Sequence, residues 1–279
     1  DMGFNEVMNN SLVKENNINN NMSINLINSI SQDISVMRTE LVSGILKTID
    51  YNINRKSTKN NFFEFGSTYH YDKGNYEQNN KLSIVMCGDL INNNWLHQGL
   101  KSNFFYLKNI VLNIFEKFNL SFDEEIIDDG IIFKKGNKEI SSIVSLDKSL
   151  MNKVSISKDI FCATIDTTQL FKNINNNYFN ISQISKFPMV KRDFSFIIDN
   201  EVSYKSIKDC VLSINDNLIK EVKLFDVFKD GKIEKSKKSV SISVLLSSDQ
   251  STLNEKNIEK ISKKIVTSME KKFNATLRD

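Results

Sequence analysis

One proline constrains this chain more than any other residue, because it occurs once in 279 residues and stands just before the cleanest strand pattern. Pro188 fixes its own φ and drives Phe187 away from helical angles, so the chain must leave it in an extended form. In that run, FPMVKRDFSFIID (Phe187–Asp199), Phe194, Phe196 and Ile198 fall on one face, with Asp193, Ser195 and Ile197 on the other. A period of two is that of a half-buried strand. Pro188 therefore marks the start of a domain, with the basic residues Lys191 and Arg192 just ahead of a core strand.

The tail beyond it has a readable order. Tyr204–Ile214 puts Ile207, Val211 and Ile214 at helical spacing, and Val222–Phe228 is strand-like up to a turn signal at Lys229, Asp230 and Gly231. Val240, Ile242, Val244 and Leu246 alternate with Ser241, Ser243 and Leu245, a second half-buried strand. Asn254 is the expected N-cap of a long helix whose Ile258, Ile261, Ile265, Met269 and Phe273 form one stripe. A short strand at Ala275–Arg278 closes the chain. The order β-α-β-β-α-β predicts a ferredoxin-like sandwich, two helices on one face of a four-stranded antiparallel sheet.

The first 185 residues give less. Leu41, Ile45 and Ile49 predict a helix after Ser35, while Phe62–Phe65 and Leu82–Cys87 read as strands. Phe104–Phe118 is amphipathic, and short strands alternate with turns from Ile131 to Ile165. This is α+β with a mainly antiparallel sheet.

Composition bounds the function. A charged fraction of 25% and an apolar fraction of 40% are those of a soluble globular protein with room for two domains. The Asn-rich stretches at 16–21, 92–94 and 173–177 are short enough to be solvated loops. No run reaches the roughly 18 apolar residues of a membrane span. The start at Asp1, with no signal-like segment, is that of a piece cut from a longer polypeptide. Cys87, Cys162 and Cys210 show no CxxC spacing, and His70 and His97 show no metal-ligand spacing. Reduced, buried thiols in a cytosolic protein are expected, without a metal site. Residues 186–279 carry 19 Lys+Arg against 14 Asp+Glu, net +5, whereas residues 1–185 carry 18 against 20, net −2. The tail is the part suited to a polyanion.

Motif order then brings in a resemblance. In the tail, FPMVKRDFSFIID, LFDVFKDG (Leu224–Gly231), KKSVSISVLL (Lys237–Leu246) and TLNEKNIEKI come one after another. Upstream stand GFNEV (Gly3–Val7), SVMRTELVSGILKTIDYNINR (Ser35–Arg55), FFEFG (Phe62–Gly66), Trp95 and FFYLK (Phe104–Lys108). In this order and spacing the whole chain resembles the C-terminal third of the β-subunit family of bacterial phenylalanine–tRNA ligases. It departs from the family in lacking a proline near Gly44 and in having Tyr106 at an acidic position.

The resemblance implies a class II synthetase catalytic-like antiparallel-sheet module over 1–183, followed by a ferredoxin-like anticodon-binding domain over 186–279. It also implies that the module is non-catalytic. Gly66–His70 lacks the Arg that clamps the α-phosphate in active class II enzymes, and no Gly-rich phosphate loop is present. The family's Mg²⁺-binding carboxylates and editing site lie upstream of this segment. No catalytic or metal residue is assigned here; ATP and Mg²⁺ belong to the whole enzyme. The expected partners are the catalytic α subunit, in a cytoplasmic (αβ)₂ heterotetramer, and tRNA(Phe).

Met37, Arg38 and Thr39 are the candidate subunit-interface residues, with ordinary strand and helix-start packing as the alternative. For RNA the resemblance points to Phe228, at a position where the family usually has Tyr, and to Ser239. These would contact one unpaired anticodon base. Lys237, Lys238, Lys191 and Arg192 would attract phosphates. Phe228 also reads as a core phenylalanine, Lys237 and Lys238 as a solvated turn, and Arg192 with Asp193 as a structural ion pair. A free-standing RNA-binding or scaffold protein with a ferredoxin-like domain is the alternative for the chain as a whole.

Overall fold

The LSIVMC run at Leu82–Cys87 lies in the middle of a strand that is buried on both faces, which is why it shows no alternation. The computed structural model describes residues 2–14, 22–146, 156–174, 185–214, 217–229, 234 and 236–278. The chain divides into two units, Asp1–Phe179 and Asn180–Asp279.

The first unit contains β1 (Asn5–Glu6), β2 (Leu12–Val13), β3 (Ile24–Asn25), β4 (Val36–Met37), α1 (Val42–Ile53), β5 (Lys59–Asp72), β6 (Asn75–Ile91) and β7 (Leu100–Lys101). It continues with α2 (Phe104–Lys117), β8 (Asp123–Ile127), β9 (Gly130–Lys135), β10 (Lys138–Ser145), β11 (Ile160–Asp166) and α3 (Thr167–Lys172). The main sheet runs β1-β5-β6-β11-β10-β9-β8, with β7 also on β6. Only the β1–β5 pair is parallel among these. Leu107, Ile110, Val111 and Phe115 of α2 join Leu82, Ile84 and Met86 in one cluster. Ile45 and Ile49 of α1 join Val85 and Cys87 in another. Alternate residues of β6 thus feed two cores on opposite faces of one sheet.

β5 and β6 are much longer than their apolar runs predict. Their outer halves carry polar residues such as Asn75, Gln78 and Asn80, so no hydrophobic period marks them. The two strands turn through Lys73 (φ 46°) and Gly74 (φ 92°), positive φ at both central positions of a two-residue hairpin loop.

The second unit contains β12 (Val190–Asp199), α4 (Tyr204–Leu212), β13 (Ile219–Phe228), β14 (Lys237–Leu246), α5 (Glu255–Phe273) and β15 (Thr276–Leu277). Its sheet order is β13-β14-β12-β15, the ferredoxin-like arrangement that the periodicity predicts. Asn254 caps α5 as expected, its side chain accepting from the Asn257 N–H. Ile258, Ile261, Ile265 and Met269 of α5, with Ile207 and Val211 of α4, cover Phe194, Phe196, Ile198, Val240, Ile242 and Val244. Most of the expected turn at Lys229–Gly231 and the Asn stretch 16–21 lie outside the described residues. Cys87, Cys162 and Cys210 are buried free thiols. Burial pushes the Cys87 thiol up to about 11, in the direction of an inert side chain.

Candidate nucleic-acid interface

Both helices of the second unit pack on one side of its sheet, which leaves the other side without helices among the described residues of that unit. Strand register determines what stands there. Ser239, Ser241 and Ser243 of β14 face away from the helices, opposite Ile197, Ser195 and Asp193 of β12. Ser195 and Ser241 share a hydroxyl hydrogen bond of 2.8 Å. Despite facing away from the helices, Ser239, Ser241 and Ser243 are only 3%, 7% and 8% exposed.

Phe228 reaches this side through a β-bulge. Leu224 pairs with Ile242, which faces the helices, and the register then shifts so that Asp226 pairs with Ser241 and Phe228 with Ser239. In unbroken alternation from Leu224, Phe228 would point at the helices. The one-residue shift reverses its direction. The Phe228 ring is 43% exposed, so it is not a core phenylalanine, and the bulge residue Phe225 is 56% exposed.

A cation accompanies each ring. Arg278 places its guanidinium carbon 5.9 Å from the Phe228 centroid, and Lys191 Nζ lies 5.8 Å from the Phe225 centroid. Arg278 Nη1 also donates to Ser239 Oγ at 3.5 Å, while its backbone N–H donates to Ser195 O at 2.8 Å. Phe228, Ser239 and Arg278 form one cluster. Sequence reasoning assigned no role to Arg278 or Phe225. Alternation back from the buried Ala275 would have put Arg278 on the open side, two residues after Thr276, which pairs with Ile197.

The four expected basic residues do not act as a group. Lys191 and Lys237 share the Ser239 side of the sheet, but Arg192 and Lys238 share the helix side. Arg192 lines a hollow with Ile258, Glu259, Ser262 and Lys263 of α5. Lys238 Nζ donates to Asn200 O at 2.8 Å and Val202 O at 2.7 Å, closing the turn that leads into α4. Partial burial lowers its pKa. Lys237 is bonded to Glu234, which raises its pKa. The ion pair next to Phe194 is Lys191–Asp193 at 3.6 Å, and Arg192 takes no part in it. Successive residues of a strand point to opposite faces, so a KR or KK doublet always splits in this way.

In the first unit, Arg38 is turned inward. Its Nη1 meets Glu64 Oε1 at 2.5 Å, its Nε donates to Ser67 O at 3.0 Å, and the residue is 7% exposed. Asn9 Nδ2 donates to Glu64 Oε2 at 2.7 Å and completes the network. Gly66 is required here, because a Cβ on it would collide with Arg38 Nη2. Arg38 is therefore committed inside its own unit, whereas Met37 and Thr39 on either side are partly exposed. A hollow of about 460 Å³ is lined by Met2, Phe4, Phe63, Phe65, Leu82, Ile84, Ile110 and Ile114. That lining offers no charged or hydrogen-bonding side chain to a triphosphate or a metal ion, so ATP and Mg²⁺ do not fit it. Among the described residues, no group of three or more His, Cys, Asp or Glu could hold a metal, and no helix is long and apolar enough to cross a membrane.

Comparison with known proteins bears on both units. Residues 1–167 match the family described as phenylalanyl tRNA synthetase beta chain CLM domain, and residues 185–278 match the ferredoxin-fold anticodon binding domain. The phenylalanine–tRNA ligase β subunit of Bacteroides thetaiotaomicron is 33% identical over 99% of this chain and 37% of its own length. That of Buchnera aphidicola is 30% identical over 99% and 36%, and the chloroplastic one of Porphyra purpurea 26% over 99% and 40%. The chain thus spans well under half the length of these relatives. A pyrrolysyl tRNA synthetase structure from Desulfitobacterium hafniense covers 61% of this chain and 62% of its own, with 13% identity and a TM-score of 0.47.

Proposed function

The chain belongs to the phenylalanyl-tRNA synthetase β-chain family, and from that premise we propose that it is the non-catalytic part of a phenylalanine–tRNA ligase. Residues 1–183 dock on a catalytic α subunit, and residues 186–279 read the anticodon region of tRNA(Phe). The observation that carries the RNA role is the half-exposed Phe228 ring beside the Ser239 hydroxyl, on a sheet side without helices. An unpaired base stacks on an aromatic ring and bonds its edge to nearby hydroxyls, which is how proteins usually read single-stranded RNA. Phe228 supplies the stacking surface and, unlike tyrosine, no hydroxyl of its own. Lys191 and Lys237 lie on the same side and attract phosphates, which positions the strand without specifying its sequence.

ATP and Mg²⁺ serve the assembled enzyme through its α subunit. The apolar lining of the Phe63–Phe65 hollow supports that division. With the interior of the first unit holding Arg38, contact with the α subunit falls to partly exposed residues such as Met37 and Thr39. The working assembly is a cytoplasmic (αβ)₂ heterotetramer.

Phe228→Ala tests the RNA role. Loss of one stacked base costs about 1–3 kcal/mol, so the Kd for tRNA(Phe) should rise while ATP-dependent phenylalanine activation by the assembled enzyme stays unchanged. Unaltered tRNA affinity would remove Phe228 from the site.

A further inference from the structure

Starting from the proposed RNA role of the second unit, we propose that the outer face of α5 is a second RNA surface, one that grips the sugar–phosphate backbone where it passes over the open edge of β12. It reads no sequence, and it lies on the opposite side of the sheet from Phe228.

Charge placement carries it. α4 and α5 hold eight lysines against four acidic residues, so the helix layer supplies most of the net +5 of residues 186–279. At about 100° per residue, Lys256, Lys260, Lys263, Lys264 and Lys271 share a sector of about 100°, opposite the buried Ile258, Ile261, Ile265 and Met269. At about 1.5 Å per residue this exposed stripe runs for roughly 22 Å. Cations on the strands are already neutralised: Lys191, Lys220, Lys223 and Lys237 each sit in an ion pair with a carboxylate. Among the described residues Lys256, Lys260, Lys263 and Lys271 have no such partner. Unpaired like charges along one helix repel each other, and a phosphate backbone relieves that repulsion while shedding its own counterions.

Edge geometry supplies the route. β14 pairs with β12 from Val190 to Asp199, but on the other edge β15 reaches only Phe196 and Ile197. Residues 190–194 are therefore uncovered on that edge among the described residues. Ser195 O, which accepts from the Arg278 N–H, points out of this edge, so by alternation the backbone N–H groups of Lys191 and Asp193 do too. Phosphate oxygens commonly accept from backbone N–H groups. Lys191 flanks the edge on the helix-free side and Arg192 on the helix side. Arg192 shares a hollow of about 440 Å³ with Ser262 and Lys263, and Glu259 is the acid on its wall. Two cations and a hydroxyl thus line a space roomy enough for a phosphate. The far edge strand, β13, offers less, because Lys220 and Lys223 are bonded to Asp249 and Glu221.

The test titrates this chain with a fluorescently labelled tRNA(Phe) transcript, and with a short single-stranded RNA of its anticodon loop, at several salt concentrations. Lys256→Gln, Lys260→Gln and Lys263→Gln combined should weaken transcript binding about 10-fold near 0.1 M salt. The slope of log Kd against log salt should flatten by about 2–3, at about 0.9 per lost phosphate contact. Arg192→Gln should flatten it by about 1, and Glu259→Gln should tighten binding. The loop RNA should bind every one of these variants as it binds wild type. Changing the anticodon bases of the transcript should leave their penalties unchanged. Wild-type affinity and salt slope in the triple variant would mean that the lysines are only solvated, and the α5 surface would be refuted; a weak Phe228→Ala would still uphold base reading. If Phe228→Ala binds normally while the triple variant does not, base reading falls and the α5 surface stands. If the triple variant loses binding to phosphatidylglycerol vesicles but keeps its RNA affinity, the face is a lipid surface and the proposal is overturned. Gln has nearly the helix propensity of Lys, and an unchanged circular dichroism spectrum confirms that the variants fold.

Discussion

Arg38 and Glu64 come from separate sequence motifs and meet in the interior, where their side chains are 8% and 1% exposed. Around them Asn9 donates to the second carboxylate oxygen, and Thr48 Oγ1 donates to Asn9 Oδ1 at 3.0 Å. A Cβ on Gly44 would come within 2.9 Å of Asn9, so the glycine at the start of α1 and that of FFEFG both leave room for this network. Removing one member of a buried pair strands the other charge away from water, at a cost of about 3–5 kcal/mol. Arg38→Ala should lower the unfolding free energy of the first unit by that amount, read from the shift of its urea midpoint by circular dichroism. The joint replacement Arg38→Met with Glu64→Leu should cost much less, because neither charge is left behind. A loss below about 1 kcal/mol in the single variant would show that the pair is not fully desolvated. Charge reversal at Arg38 would consequently test folding before it tested docking, and substitutions at Met37 and Thr39 are the better probes of an α-subunit contact.

Strand and helix order in the second unit was legible because each element keeps one clean period: two for β12 and β14, close to 3.6 for α4 and α5. The first unit was legible only where a core face left a pattern. Two-residue strands such as β1, β2 and β3 are too short to show any period, and α3 spans only Thr167–Lys172. The direction of Phe228 was the least legible feature. It depends on the bulge at Phe225, and a bulge changes register without changing composition. That dependence gives two deletions of equal length with opposite outcomes. Removing Phe225 takes out the extra residue, leaving Asp226, Val227 and Phe228 opposite their present partners, so RNA affinity should stay within about threefold of wild type. Removing Val227 keeps the bulge but shifts Phe228 onto the helix side, and affinity should fall by the full stacking contribution of about 1–3 kcal/mol. Among the described residues β13 is an edge strand, paired with β14 alone, and Val227 is 48% exposed, so neither deletion empties the core. Equal affinities for the two variants would mean that the direction of Phe228 does not govern binding.

Each unit closes hydrophobic clusters from its own residues, and the two carry different chemistry. The second offers rings, hydroxyls and cations on a sheet side without helices. The first lines an apolar hollow with Met, Phe, Leu and Ile and keeps its Arg38–Glu64 charges inside. On the proposed division of labour, RNA affinity should travel with residues 185–279 alone. Those residues hold a core from Phe194 to Ala275 built of both helices and three strands of the sheet, so the fragment should unfold in one cooperative step. Its Kd for the anticodon hairpin should match that of the whole chain within a few-fold. ATP–pyrophosphate exchange should behave in the opposite way. A synthetase must bind a triphosphate and stabilise the charge that develops on its α-phosphate, which takes preorganised cations or metal ions. The Phe63–Phe65 hollow supplies neither. The chain by itself should therefore give no phenylalanine-dependent exchange, and adding the α subunit with the rest of the β subunit should bring it up. Exchange by the isolated chain would mean that it activates phenylalanine itself, and the assignment of all ATP chemistry to the α subunit would have to be abandoned.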